Sequence, residues 1–254
     1  MNYLLYCIFN SSDHQMPEMP LGVGGQPVSL IAENGLTAAV SQISQPDLNP
    51  GITEIRAYGK VVEAYNSKRT VIPMRYGCWF KEKSDIIRLL EERHREYEIL
   101  IEKLIDSVEM GVRIIIPGAD CESSGTETLQ SLSPTSGRAY LEARKTHYTE
   151  RERFAGENSA LIERCRAAFS GLFIQSKWEF SPFRGSFTAI NNQLLSLYFL
   201  VPGRSLESFR QAFRLMRNQD SARFLLSGPW PPYNFVIPDP KGSQDILKNL
   251  APRF

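Results

Sequence analysis

The chain has 254 residues, 42% hydrophobic and 22% charged, with 29 basic against 28 acidic side chains and a net charge of +1. That length allows one large or two small domains with a real core. The even charge balance shows neither the basic footprint of a nucleic-acid binder nor an acidic-substrate funnel. The opening MNYLLYCIFN is apolar for about nine residues but lacks the charged flank and cleavage site of a signal peptide. No stretch approaches the roughly 18–20 apolar residues of a membrane span, so a soluble cytoplasmic protein is expected, with no membrane partner. Cys7, Cys78, Cys121 and Cys165 are widely spaced. With only His14, His94 and His147 beside them they read as reduced thiols, with no metal site and no cofactor.

In chain order, residues 2–9 predict a buried strand and 10–27 a loop rich in Pro and Gly. Residues 28–32 and 36–43 predict a hairpin turned by Asn34-Gly35, a pair suited to positive φ. Residues 53–67 predict a helix with Ile55, Val62 and Tyr65 on its apolar face. TVIPMR at 70–75 reads as a short strand whose proline suits an edge or an end. Residues 84–106 predict one long helix, with Ile86, Leu90, Tyr97, Ile101 and Leu104 inward and His94 in a solvated charge run. A strand at 108–116 follows, then a polar loop at 121–137. A long helix is expected over 138–173, with Leu161, Cys165, Ala168 and Leu172 at helical spacing. Strands at 174–180 and 188–201 are joined by the turn 181–185. A helix at 205–218, N-capped by Ser205, leads to a strand at 222–227.

These elements predict an α+β fold in two domains. The first, 1–107, is a small mixed α+β domain. The second, 108–254, runs β-α-β-β-α-β, the ferredoxin-like order, with a C-terminal extension.

No catalytic constellation stands out. The chain has no G-x-S-x-G, no P-loop, no Rossmann glycine pattern and no H-E-x-x-H. Leu21-Gly22-Val23-Gly24-Gly25 precedes a strand rather than a helix, and so lacks the N-terminus that phosphate binding needs. Trp178 and Phe180 flank an acidic Glu179, unlike an RNA-binding strand. Interaction or assembly is left as the default role. The alternative is a small-ligand enzyme with a site in the cleft between the domains.

The densest local signal is GPWPPYNFV at 228–236. Its prolines cannot lie within a helix or a central strand. The segment is expected to be a rigid connection between strands 222–227 and 233–237. Trp230, Tyr233 and Phe235 either plug a core or present a stiff docking surface.

This segment resembles the near-terminal G-x-W-P-P-Y-x-F signature of the gas vesicle protein F/L family. VIPMRYGCWF at 71–80 is similar to that family's apolar-Pro-x-Arg-aromatic-Gly stretch. GRAYLEARK at 137–145 and ENGLTAAVS at 33–41 add weaker matches, so the likeness extends over nearly the whole chain and is nearest to the F members. Gly59 departs from the family pattern and argues against a catalytic histidine there. The resemblance implies an accessory protein of gas vesicle assembly rather than an enzyme. It would bind the hydrophobic shell protein (GvpA) and other accessory proteins, and remain a minor component of the vesicle in the cytoplasm, on the gas-facing side of the wall. The family motifs mark Pro73, Arg75, Tyr76, Gly77, Tyr140, Gly228, Trp230, Pro231, Pro232, Tyr233 and Phe235 as candidate interaction residues.

Overall fold

The computed structural model describes residues 2–11, 20–44, 50–116, 159–182, 193–218 and 223–236. The first apolar run forms strand β1 (Asn2–Asn10), which pairs antiparallel with β3 (Leu36–Ile43) on one side. On its other side lie two short strands, β4 (Ile72–Pro73) and β5 (Trp79–Phe80). Strand β2 (Val28–Glu33) pairs with β3 and closes the sheet order β2-β3-β1-β4, with β5 also on β1. The β2–β3 turn forms as its sequence predicts: Asn34 has φ 48° and Gly35 φ 81°, the two positive values that a tight hairpin turn requires.

Strand β1 is apolar on both faces because helices cover both. Leu4, Tyr6, Cys7 and Phe9 join one buried cluster with Tyr58, Val61, Val62 and Tyr65 of α1 (Ile52–Asn66). Leu5 and Ile8 join another with Ile86 and Leu90 of α2 (Lys83–Glu92) and Tyr97 and Ile101 of α3 (His94–Leu104). Each such side chain taken fully from water contributes about 1.5–3 kcal/mol. The register of β1 on β3 shifts between Leu5 and Cys7. This bulge interrupts the alternation of side chains and lets Tyr6 and Cys7 serve the same cluster.

The helices depart from expectation in two places. The apolar stripe of α1 is Tyr58, Val61, Val62 and Tyr65, while Ile55 is 51% exposed. The single helix expected over 84–106 is two, bent at Arg93 (φ −110°, ψ 16°). Bonds from Arg93 N–H to the Leu89 carbonyl and from Tyr97 N–H to the Arg93 carbonyl still span the bend. His94 is not simply solvated there: its Nε2 lies 2.7 Å from the Asn34 carbonyl at the hairpin tip.

A second sheet has the order β7-β8-β6-β9, built from β6 (Ser107–Ile116), β7 (Gln175–Pro182), β8 (Gln193–Pro202) and β9 (Arg223–Trp230). Between β6 and β7 the described part of a helix, α4, covers 159–168. Its buried positions are Ile162 and Cys165, followed by Phe169, rather than Leu161 and Ala168. It ends short of the expected limit at 173, where Gly171 takes φ 76°. Helix α5 (Leu206–Asn218) buries Phe209, Phe213 and Met216, and Phe209 stacks on Phe169 with centroids 4.1 Å apart. Ser205 lies in the 3-10 turn that leads into α5.

The chain thus has a mixed α+β fold with two sheets. It divides into two compact units. One holds the described residues up to Met110, Tyr198–Arg204 and those from Ser227 onward; the other holds those from Gly111 to Leu197 and Ser205–Leu226. The division passes through β6, β8 and β9.

Candidate functional site

Two motif segments, 71–80 and 228–236, pack within the first unit on the cluster beneath α1. In the first, Pro73 is buried and opposite Cys7 of β1. The strand expected over 70–75 stops there because the chain leaves β1 as a loop, 74–78, and returns as β5. The loop spans the β1 bulge. Met74 N–H bonds the Tyr6 carbonyl at 2.9 Å, and Leu5 N–H bonds the Cys78 carbonyl at 3.0 Å. Gly77 has φ 102°, a backbone conformation that other residues rarely adopt.

The Tyr58 hydroxyl of α1 sits among the carbonyls that this irregular crossing leaves. It lies 2.7 Å from Met74 O, 3.0 Å from Leu5 O and 3.3 Å from Tyr6 O. Burial, followed by the neighbouring Cys78, Tyr233, Cys7 and Tyr6, pushes its ionisation well above the ordinary phenol value, so it remains a neutral donor. Tyr58 packs on Tyr6 at 5.0 Å and edge-on to Tyr76 at 5.4 Å. Tyr76 in turn meets Trp79 at 5.6 Å, so an aromatic series runs from the interior to half-buried positions. Arg75, at the head of the loop, is exposed.

The second segment differs from the expected strand–corner–strand. Strand β9 continues through Gly228 and Pro229 to Trp230, and 231–236 is a pair of turns rather than a strand. Tyr233 N–H bonds the Pro231 carbonyl at 2.8 Å and Phe235 N–H bonds the Pro232 carbonyl at 3.0 Å. Gly228 has φ 107° and a cis bond to Pro229. A Cβ there would lie 2.7 Å from the Glu109 carbonyl oxygen, so only glycine fits. The turns are fastened by Glu109 of β6, which is 4% exposed. Its Oε2 accepts the Asn234 backbone N–H at 2.8 Å and its Oε1 accepts Asn234 Nδ2 at 2.7 Å.

The motif's aromatic residues divide. Phe235 is 2% exposed and packs with Leu104 and Leu200. Tyr233 is half-buried on the cluster beneath α1, where burial raises its phenol, with Cys7, Glu63 and Glu109 adding to the shift. Pro231 and Pro232 are buried, and Trp230 is 45% exposed. Pro73, Tyr76 and Tyr233 are therefore brought to one region, Phe235 belongs to a neighbouring cluster, and Tyr140 lies outside the described residues.

Sequence reasoning missed Tyr58, Glu109, Asn234 and Arg69. An acidic residue at a buried position of the apolar β6 was the available signal for Glu109. Arg69, 8% exposed, holds its guanidinium 4.7 Å from the Phe9 ring centroid and 6.0 Å from that of Tyr65. Burial pushes up the thiols of Cys7 and Cys78, which makes both poor nucleophiles at neutral pH. Among the described residues, no group of His, Cys, Asp or Glu could hold a metal ion, and no helix is long and apolar enough to cross a membrane.

The two segments leave Arg75 and Trp230 exposed and Tyr76 half-buried, residue types enriched at protein interfaces. The two-sheet α+β fold has parallels among solved structures and the chain has relatives over most of its length. The chain belongs to the gas vesicle synthesis protein GvpL/GvpF family, whose family model matches residues 2–237. It is 26% identical over 247 residues to gas vesicle protein F of Streptomyces sp. strain CB03234, covering 93% of this chain and all (100%) of that one. It is 24% identical over 248 residues to gas vesicle protein L of the same strain, covering 91% of each. The crystal structure of GvpF from Anabaena sp. PCC7120 matches with a TM-score of 0.71 at 19% identity, over 94% of this chain and 97% of that one. GvpF from Microcystis aeruginosa matches with a TM-score of 0.69 at 15% identity, over 92% and 98%. Family membership supports a role in gas vesicles.

Proposed function

We propose that this chain is an accessory assembly protein that binds the main hydrophobic shell protein (GvpA) through the margin formed by Arg75, Tyr76 and the 228–236 turn. The observation that carries this reading is the division within the segment: Phe235 is spent on the core, while Trp230 is left 45% exposed at the end of β9, beside a turn fastened by the part-buried bonds from Asn234 to Glu109. A large ring already fixed in place loses little entropy on binding, which is what makes such residues strong anchors. A shell subunit with an apolar face needs a partner that delays its aggregation before it joins the wall. Family membership supports the setting, and the rest extends it: the chain stays with the vesicle in the cytoplasm as a minor component, on the gas-facing side of its wall, with other accessory proteins as further partners. Its role is structural rather than catalytic.

The test is capture of freshly made shell protein by the purified chain, beside Trp230→Ala and Arg75→Ala, with folding checked by circular dichroism. Loss of a central aromatic anchor costs about 2 kcal/mol or more, roughly thirtyfold in affinity. Specific capture by the wild type, weakened to that degree in a folded Trp230→Ala, is the expected result. No capture by the wild type while the shell protein stays in solution would remove direct shell binding.

A further inference from the structure

Among the described residues, the first sheet ends at β2. The turn at Asn34-Gly35 makes Glu33 and Leu36 a hydrogen-bonded pair, and pairing then alternates along Ile31↔Ala38 and Ser29↔Val40. The intervening residues Val28, Leu30 and Ala32 therefore direct their backbone N–H and C=O away from β3. No other strand among the described residues pairs with that edge. The usual protections of an edge are a lysine, a proline or a bulge within the strand. Between Val28 and Ala32 there is none, and no residue there is charged. Ser29 and Ala32 are exposed.

The edge is complementary to itself. An antiparallel copy placed about a two-fold axis at Leu30 sets Leu30 opposite Leu30 of the second copy and Val28 opposite Ala32 of the second copy. Every outward N–H then meets an outward carbonyl. Leucine lies beside leucine, Ser29 faces Ile31 of the second copy, and Glu33 faces Pro27 of the second copy rather than another carboxylate. A register moved by one residue would set inward-bonded groups against outward ones. Self-complementarity of this kind is what a two-fold interface requires. We propose that β2 pairs edge to edge with β2 of a second copy of this chain, making one continuous sheet across the pair. So short a contact gives a weak, concentration-dependent association. It uses none of the residues assigned to shell binding and stands apart from that reading.

The experiment is sedimentation equilibrium of the full chain over a wide concentration range, beside Ala32→Pro and Ala32→Lys. The Ala32 N–H makes no ladder bond within the sheet and its side chain is exposed, so both variants are compatible with the folded monomer, which circular dichroism checks. The wild type should approach the mass of two copies as concentration rises, while both variants stay at one. Amide exchange read by NMR should slow with concentration at Val28, Leu30 and Ala32 but not at Ser29 or Ile31. A wild type that stays single throughout, or a pair that survives in both variants, overturns the proposal. So does a single wild type whose capture of shell protein is lost in the two variants, because that outcome gives the edge to the shell protein instead.

Discussion

The loop at 74–78 and the turn at 228–236 both set aromatic residues at the margin of the cluster beneath α1, but opposite chemistry fastens them. The loop is tied by a neutral donor, the Tyr58 hydroxyl, among backbone carbonyls. The turn is tied by a buried acceptor, the Glu109 carboxylate, taking two bonds from Asn234. A phenol can be buried at little cost and shared among several weak acceptors. A buried carboxylate must be well partnered or it destabilises the fold by several kcal/mol. The turn should therefore be the less forgiving of the two.

One perturbation should release both together. Tyr58 at the loop and Tyr233 at the turn are raised by burial, and the Tyr97 phenol of α3 is pushed up to about 12. A phenol whose folded value is raised gives its stability in full below the unfolded value near 10. That stability is lost as pH rises through the folded value, because the unfolded chain releases protons that the fold retains. Each such tyrosine removes about 1.4 kcal/mol per pH unit in that window. The expected outcome is one cooperative alkaline unfolding, with tyrosinate absorbance of the buried rings rising together with loss of circular dichroism. Ionisation of these rings near pH 10 in a still-folded chain would count against the packing described.

The glycines sharpen the contrast. Gly77 and Gly228 both have positive φ, at 102° and 107°. Around Gly77 the nearest atom to a built Cβ is Trp79 Nε1 at 3.9 Å, whereas at Gly228 it is the Glu109 backbone oxygen at 2.7 Å. Gly77→Ala should cost about 1–2 kcal/mol, the conformational penalty alone. Gly228→Ala adds displacement of the backbone of β6 and should cost about 3 kcal/mol or more. Urea denaturation gives both values, and equal costs would show that the close approach at Gly228 relaxes freely.

Local chemistry made part of this architecture readable. An unbroken apolar run marks β1 as buried on two faces, and Asn34-Gly35 marks the hairpin. What sequence reasoning missed depends on distant partners. Asn234 sits in a segment dominated by prolines and rings, and its acceptor lies 125 residues earlier in the chain. Helical spacing suits Ile55 and Tyr58 equally, and only the bulge in β1 explains why a hydroxyl rather than an alkyl group belongs inside. The strand expected beyond the prolines failed for a related reason: Asn234 is drawn onto Glu109, so its chain closes into turns instead of extending.

Removing one hydrogen-bonding group from each fastening tests the asymmetry most directly. Glu109→Gln keeps the size of the side chain but removes its charge and replaces one acceptor by a donor. Both bonds then survive only as neutral ones, and only if the Asn234 amide turns to present its Oδ1. Losing a bond to a charged group in a part-buried site should cost about 2–3 kcal/mol. Tyr58→Phe keeps the ring and its stacking and removes only the hydroxyl, for about 1 kcal/mol. In the double variant the two costs should nearly add, because the hydroxyl bonds carbonyls of β1 and the 74–78 loop whereas the carboxylate takes bonds from Asn234 in the 228–236 turn. If Tyr58→Phe proves the costlier change, the loop at the β1 bulge and not the signature turn is the more tightly determined region. The Met74 carbonyl, which lies closest to the Tyr58 hydroxyl, would then be the group left without adequate replacement.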